Sequence, residues 1–378
     1  MLAPVADRLS VDPDAPVRDW VGGVNTAGWG FHRRLRGNAV SSPLSIGIAF
    51  SLSRAGASAD TGAVLDRIFG FPPVGLHSAA NTLALLVGEA SAESTILEVA
   101  TRLFPDDEFS PLPDFVDTAS AHYGAAIQPV DTRDAAAAAE TINRWVSETT
   151  RGLIPIIVSE RVVEDQELIL ANTVYLKADW VYPFLPDDSG SRFTTDDGRS
   201  VRVPFMSDHE PVYRRFVRLE DADAVELAYQ GGQLAMWLIV PHDPTGLAEL
   251  EDSLDGGALS GLPDATREGL VDVTMPKWEQ TLPPTDLFEW LCPLGFCEGA
   301  PFDGIAPGIF ITAALHGAKV TVDERGTEAA GATALAFQES APPQADLTIV
   351  ADRPFLWAII HQHTGSLLFV GRLVDPTA

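Results

Sequence analysis

Apolar residues recur every three or four positions in several stretches of the first half of the chain, which is the spacing of an amphipathic helix. Between residues 17 and 35 the apolar positions are Trp20, Val24, Ala27, Phe31 and Leu35. A second apolar run follows Ser-Pro at 42–43 and reaches residue 57, and proline is favoured in the first turn of a helix. The pattern returns at 83–87 and 135–145. The first half is therefore predicted to be mainly helical.

Runs of β-branched and aromatic residues replace this pattern beyond Gln166, and such runs predict strands. They occupy residues 168–175, 224–229, 234–240, 270–275, 309–313, 320–322, 355–361 and 366–373. Helices gathered early and strands gathered late predict an α+β fold with a mixed or antiparallel sheet. The polar stretches rich in Gly, Pro and Asp are short, so we expect one domain spanning residues 1–378.

The charge balance excludes several classes of partner. The 25 basic residues are outnumbered by 53 acidic ones, giving a net charge of -28, which disfavours nucleic acid and other polyanions. No run of about 18 apolar residues predicts a membrane span. The first residues lack a basic start followed by an apolar stretch, so a cytoplasmic location is expected, with an extracellular one as the alternative if a leader is missing.

The motifs of common enzymes are missing from the sequence, which contains no GxSxG elbow, phosphate loop or HExxH pair. His361 and His363 share one face of a predicted strand, but no third ligand follows at metal-binding spacing. Cys292 and Cys297 lie outside any CxxC motif and are interpreted as small buried apolar residues. The chain is therefore expected to be neither an enzyme nor a metal protein, and to need no cofactor.

Residues 323–354 form an unusually long connection between two predicted strands, and loops of this length are generally functional or disordered. From Thr327 onward the side chains alternate, with residues 327, 329, 331, 333, 335 and 337 on one face and small or polar residues on the other. Pro342 and Pro343 lack amide donors and would end any strand formed here. The pattern fits either a loop that can become a strand or an alanine-rich helical or flexible surface loop.

The segment Val-Asp-Glu-Arg-Gly-Thr-Glu-Ala-Ala-Gly-Ala-Thr at 322–333 resembles the loop hinge of a known family, the serpins, which are suicide-type protease inhibitors. Further similar segments occur in order along nearly the whole chain: Asn38 with Ser-Pro-Leu-Ser at 42–45, Ile-Asn-Arg-Trp-Val at 142–146, Asn-Thr-Val-Tyr-Leu-Lys-Ala-Asp-Trp at 172–180, Val-Pro-Phe-Met at 203–206, Met-Pro-Lys-Trp at 275–278, Phe-Asp-Gly-Ile at 302–305, His-Gly-Ala at 316–318 and Arg-Pro-Phe-Leu at 353–356. Each segment is weak alone, but their ordered sum is specific.

The resemblance implies a serpin fold with three β-sheets, eight to nine helices and an exposed reactive-centre loop at about residues 324–350. It also implies a covalent complex with a serine protease, whose own nucleophile cleaves the loop before the loop inserts into the main sheet. Counting 14 residues on from Gly326 in the family's spacing places the cleaved bond at Ser340-Ala341. Such small residues point to elastase-like or subtilisin-like targets, whereas Phe337 or Leu335 would favour a chymotrypsin-like one.

The resemblance assigns further residues to three groups. The hinge, where insertion starts, comprises Glu324, Gly326, Thr327, Glu328, Ala329, Ala330, Gly331 and Ala332. The breach cluster at the top of the sheet comprises Trp180, Lys277 and Glu324, and the shutter cluster under its middle comprises Ser42, Ser45, Asn172 and His316. Small hinge residues fit an inhibitory serpin, with a non-inhibitory chaperone or carrier as the alternative. We expect a monomer that heparin does not activate, because lysines are few and the chain is acidic.

Overall fold

The computed structural model describes residues 7–91, 95–124, 127–187, 189–208, 210–327 and 344–378. Its α-helices are α1 Val17–His32, α2 Pro43–Arg54, α3 Ala59–Phe69, α4 Leu76–Gly88, α5 Pro113–Tyr123, α6 Ala135–Thr149, α7 Glu160–Val163, α8 Leu247–Ser253, α9 Gly256–Ser260 and α10 Phe288–Leu291. Its strands are β1 Ala39–Ser41, β2 Thr95–Pro105, β3 Leu168–Asp179, β4 Leu185–Asp187, β5 Phe193–Thr194, β6 Ser200–Val201, β7 Phe205–Ser207, β8 Val212–Arg218, β9 Ala222–Ala228, β10 Leu234–Pro241, β11 Arg267–Pro276, β12 Trp278–Asp286, β13 Ala300–Pro301, β14 Phe310–Ile311, β15 Ala313–Val322, β16 Gly326–Thr327, β17 Leu347–Val350, β18 Phe355–His361 and β19 Ser366–Leu373. Two short 3-10 helices, Leu262–Ala265 and Cys292–Leu294, complete the described elements.

The four predicted helical stretches are all present, and α2 shows why one of them starts where it does. Pro43 occupies its first turn, and the Ser42 side chain accepts a hydrogen bond of 3.2 Å from the Ser45 amide. Serine before proline therefore caps the helix, as expected of these residue types. The described residues contain ten α-helices rather than the eight or nine implied by the resemblance, and α7, α9 and α10 have only four or five residues.

A five-stranded sheet carries the region of functional interest. Its strand order is β12-β15-β16-β3-β2, and β15 also pairs directly with β3. That direct pairing is parallel and joins Ala313–His316 of β15 to residues 169–172 of β3. One face of the sheet packs on α6 through residues such as Ile169 and Ala171, and the other packs on the main core that includes α1 and α2.

A ten-stranded sheet fills most of the remaining structure. Its order is β1-β19-β18-β10-β9-β8-β11-β7-β4, with β17 paired to β11 in parallel. The ten-stranded sheet divides into two halves at β11. Residues 267–271 of β11 pair with β8, and residues 274–276 pair with β7. With the five-stranded sheet, these halves give the three sheets of the fold. None of the helices in the described ranges is both long and apolar enough to cross a membrane.

Two long strands of the five-stranded sheet escaped prediction, for identifiable reasons. Strand β12 contains Pro283 and Pro284, which argue against a central strand, but β12 lies at the edge of the sheet and its register shifts at this point. Strand β2 has Glu98 and Arg102 on its outer face, which break up its apolar run. The predicted strand 309–313 is mostly the short strand β14, which pairs with β13, whereas the predicted strand 320–322 is the end of the longer strand β15.

The interpretation of Cys292 and Cys297 as buried apolar residues is wrong. Both are exposed and form a disulfide that closes a loop of Cys-Pro-Leu-Gly-Phe-Cys. Gly295 has a φ of 99°, a left-handed conformation that suits glycine and turns the chain back. This turn brings the two sulfur atoms together, although five positions separate them in the sequence.

Candidate functional site

The start of the long loop already lies within the five-stranded sheet. Strand β16 is antiparallel to both neighbours, and Thr327 is paired with Val322 of β15 and with Ala178 of β3. Lower down, His316 pairs directly with Asn172. Between these two levels, residues 173–177 of β3 and 317–321 of β15 are not paired with each other in the described structure. Strands β3 and β15 are therefore paired directly with each other at the lower end of the sheet, at residues 169–172 and 313–316. At the upper end they are separated, and β16 lies between them.

Gly326 is required here because the neighbouring backbone leaves no room for a side chain. A Cβ atom at this position would overlap the carbonyl oxygen of Ala178 and approach Asp179 Cα. The φ of Gly326 is not positive, so the position does not depend on the wide range of φ angles that glycine allows. Close approach of two strands, the other use of glycine, explains the residue.

Thr327 lies on the inner face of the sheet. Its side chain is 1% exposed, and its hydroxyl shares a hydrogen bond of 2.6 Å with the Tyr229 hydroxyl. The Tyr229 ring stacks on Trp180 with 4.4 Å between ring centroids. Burial raises the pKa of Tyr229 well above its usual value, so the phenol stays neutral. Only a short, uncharged side chain fits position 327.

The breach cluster assembles at the end of β3 and β15. Lys277 Nζ lies 2.9 Å from Glu324 Oε1, and this ion pair is half-buried. Trp180 is buried and donates from Nε1 to the Asp323 carbonyl oxygen at 3.0 Å. Its amide donates to the Arg325 carbonyl oxygen at 2.6 Å. The side chain and amide of Trp180, together with the Lys277–Glu324 ion pair, thus hold residues 323–325 in the turn that returns the chain into the sheet.

The shutter cluster also comes together, at the last direct pair of β3 and β15. The Ser42 amide donates to His316 Nε2 at 3.2 Å, and the Ser42 hydroxyl donates to the Leu368 carbonyl oxygen at 2.5 Å. Ser45 hydrogen-bonds to the side chain of Asn172. All four residues are buried, so these bonds join α2 to both strands that a new strand would separate.

The hydrogen bond from Ser42 requires His316 to be neutral at Nε2. Burial lowers the pKa of His316 to about 4, against about 6.5 in the unfolded chain. As the pH falls from 6.5 to 4 the unfolded chain takes up this proton and the folded one does not, so stability falls across this window. We expect the His316→Gln variant to lose about 3 kcal/mol less than the wild type between pH 7 and pH 4, measured by urea unfolding. His363→Gln, at an exposed histidine, serves as the control, and an equal loss in all three proteins would contradict the assignment.

The remaining predicted site residues lie outside the described ranges. They are Glu328, Ala329, Ala330, Gly331 and Ala332 of the hinge, and Leu335, Phe337, Ser340 and Ala341 around the reactive bond. Their assignments stay predictions.

Two residues of the site carried no signal in the sequence. Tyr229 partners Thr327 across 98 positions, and Thr101 accepts a hydrogen bond of 2.8 Å from Asn172 Nδ2. Each contact joins segments far apart in the chain, and neither residue belongs to a motif that we identified. A catalytic triad or a metal motif can be recognised in a sequence from its residue types and spacing. A single tyrosine or threonine hydroxyl forms no such pattern.

One group of acidic residues in the described ranges, Asp106, Asp107 and Asp131, has the spacing to hold a metal ion. Arg133 forms ion pairs with Asp107 and Asp131, and Asp106 accepts hydrogen bonds from Thr132. These contacts already satisfy the carboxylates, and the group lies apart from the hinge.

The five-stranded sheet thus includes β16, which is formed by the first residues of the long loop. Residues 32–376 match the family described as Serpin (serine protease inhibitor). The leukocyte elastase inhibitor of Bos taurus is 32% identical over 360 residues, covering 90% of this chain and 93% of that protein. Serpin-Z1C of Triticum aestivum is 33% identical over 371 residues, covering 90% of each. The chain belongs to the serpin family, whose members are generally protease inhibitors rather than catalysts.

Solved structures show the same fold. Serpin-12 of Manduca sexta matches with a TM-score of 0.83 at 22% identity, covering 95% of this chain and 99% of that one. The thermophilic serpin tengpin in its native state also gives 0.83, at 23% identity, with 98% and 97% covered.

Proposed function

We propose that the protein inhibits serine proteases by a suicide mechanism in which its cleaved loop inserts between β3 and β15. The observation that carries this proposal is β16, which already pairs with both strands at Gly326 and Thr327. The strands below it are unpaired with each other over residues 173–177 and 317–321. A strand begun at the top of an opening can continue downward by the same antiparallel pairing.

Continuing that register tests whether the loop sequence fits the opening. Residue 329 would face Leu176 and Val320, and residue 331 would face Val174 and Ala318, because each step down the loop is one step back along both neighbours. The loop supplies Ala and Gly at these inward positions. Small side chains suit a gap between two strands whose inner face is already packed.

Insertion beyond residue 332 requires the lower strand pair to separate. In the same register Thr333 would lie between Asn172 and His316, the last directly paired residues. Four pairs, Ala313–His316 with residues 169–172, must then part for the strand to continue. The shutter cluster holds this junction, so it resists separation until loop cleavage frees the strand. Such a barrier is what keeps a metastable state trapped.

The target follows from the residues around the cleaved bond. Ser340-Ala341 offers small side chains, which suit the shallow primary pocket of elastase-like or subtilisin-like proteases, and the relatives include leukocyte elastase inhibitors. Cleavage after Leu335 or Phe337 would indicate a chymotrypsin-like target instead. The nucleophile belongs to the protease, and the serpin contributes the acyl group and the strand.

A panel of purified proteases tests the mechanism and the target together. We expect elastase or subtilisin to give a covalent band that survives denaturant and boiling, and trypsin to give none, since residues 326–352 contain no arginine or lysine. Mass spectrometry of the released C-terminal peptide identifies the cleaved bond. Cleavage of the loop by every protease without a covalent band would instead support the non-inhibitory alternative.

The remaining features concern partners and location. A net charge of -28 supports a protein that heparin does not activate, and we propose that it acts as a monomer. The exposed Cys292–Cys297 disulfide is typical of oxidising compartments, so it favours the extracellular alternative over the cytoplasm.

A further inference from the structure

A cavity of about 370 Å³ lies between α2, α4, α5 and β2, on the inner side of β2. Six of its eleven lining residues have aliphatic side chains: Ile48, Ala84, Val87, Leu97, Val99 and Ala100. Its volume falls within the range of about 300–1,000 Å³ that is typical of small-molecule sites. The cavity is separate from the hinge, and neither the reactive loop nor the breach cluster contributes to its lining.

One cation lies at the exposed edge of this apolar wall. Arg8 Nε donates to Asn81 Oδ1 at 2.9 Å, and Asn81 in turn is buried and donates to the Leu9 carbonyl oxygen at 3.0 Å. This contact fixes the guanidinium plane and uses only one of its donors. Its terminal amino groups have no hydrogen bond or ion pair with any described residue.

The other polar groups of the wall are already paired. Glu98 forms an ion pair of 2.8 Å with Arg151, and the Tyr123 hydroxyl shares a hydrogen bond of 2.7 Å with His77 Nδ1. Thr101 accepts from Asn172 Nδ2 at 2.8 Å. Among the described lining residues, a ligand therefore meets apolar surface and the unused donors of the Arg8 guanidinium, while Glu98 disfavours a second negative charge.

We propose that this cavity binds a small apolar monocarboxylate, with the carboxylate on Arg8 and the apolar part against α4 and β2. A planar guanidinium matches a carboxylate with two parallel hydrogen bonds, which accounts for the charged end of the ligand. The apolar wall accounts for the rest, because burial of hydrocarbon surface drives binding. Thr101 lines the inner end of the cavity and accepts a hydrogen bond from Asn172, which belongs to the shutter cluster.

Calorimetric titration of the intact protein with octanoate tests the proposal. We expect saturable binding of one octanoate per chain, with 1-octanol binding at least tenfold more weakly. Arg8→Met removes the charge and should weaken octanoate at least tenfold while leaving 1-octanol unchanged. Arg18→Met, at an exposed arginine of α1 outside the cavity, is the matched control and should bind octanoate like the wild type. Ala84→Trp fills the cavity and should abolish binding of both, with Val99→Phe as a second filling variant should the first not fold.

Three results would overturn the proposal: octanoate binding that is unchanged in Arg8→Met, equal affinity for octanoate and 1-octanol, or no binding to the intact chain. Binding that is seen only after removal of residues 1–6 would also overturn it, since those residues would then be the natural occupant. No protease takes part in these titrations, so their failure is distinct from failure of the proposed inhibitory mechanism.

Discussion

Replacing Thr327 by arginine is expected to convert the protein from an inhibitor of its target protease into a substrate. Thr327 is 1% exposed and its hydroxyl contacts only Tyr229 within the site. An arginine there would place a charge beneath Trp180, with no described carboxylate on the inner face to pair with it. Burial of an unpaired charge costs several kcal/mol, so the strand would be expelled from the sheet.

Expulsion changes the fate of the acyl-enzyme rather than its formation. The loop would still be cleaved, but slow insertion would leave time for the acyl-enzyme to hydrolyse. We expect the molar ratio of serpin needed to abolish protease activity to rise at least tenfold, and the covalent band to be replaced by cleaved serpin. Titration of residual protease activity and denaturing gels measure the two quantities.

Two variants separate burial from other effects at this position. Thr327→Ser retains the hydroxyl and should inhibit like the wild type. Thr321→Arg places the same charge on β15, at a partly exposed position on the outer face next to Glu279, and should also remain an inhibitor. Inhibition by Thr327→Arg at the wild-type ratio would show that Thr327 does not need to enter the sheet.

Residues that stand in ordered family-like segments lie together in the structure, while their functional roles stay predictions. Trp180, Lys277 and Glu324 are in one cluster, and Ser42, Ser45, Asn172 and His316 are in another. Each of these residues belongs to a segment of several residues that resembles the family, or lies close to one. Its position in the fold therefore follows from the position of that segment in the family. The two-residue repeat of a strand placed Thr327 on one face with residues 329, 331 and 333, and the structure shows that Thr327 faces inward.

The features that were missed depend on contacts between distant segments. Tyr229 and Thr101 complete the breach and shutter through single hydroxyls, which leave no periodic pattern in a sequence. The Cys292–Cys297 disulfide depends on a turn at Gly295 whose left-handed conformation was not anticipated. Strand β12 was not predicted; it contains two prolines, which a strand tolerates at the edge of a sheet, and that edge position is a property of the fold.

Cleavage of the loop without a target protease is expected to raise the melting temperature of the protein by about 20 °C. The register of β16 allows residues 328–337 to pair between β3 and β15, which adds about ten residues of backbone hydrogen bonding. Each bond contributes about 0.5–1.5 kcal/mol, giving on the order of 10 kcal/mol before Leu335 and Phe337 are buried. For a chain of this size a gain of about 10 kcal/mol corresponds to a shift of about 13 °C, and burial of Leu335 and Phe337 brings the shift toward about 20 °C.

Limited proteolysis with a metalloprotease, which forms no acyl-enzyme, followed by calorimetry measures this shift. The matched control is cleaved Thr327→Arg, which should gain little because its strand cannot start in the sheet. Cleaved Thr327→Ser should gain as much as the wild type. If the cleaved wild-type protein melts no higher than the intact one, the intact state holds no energy that insertion can release. The proposed inhibitory mechanism would then fail, because nothing would drive the distortion of a bound protease.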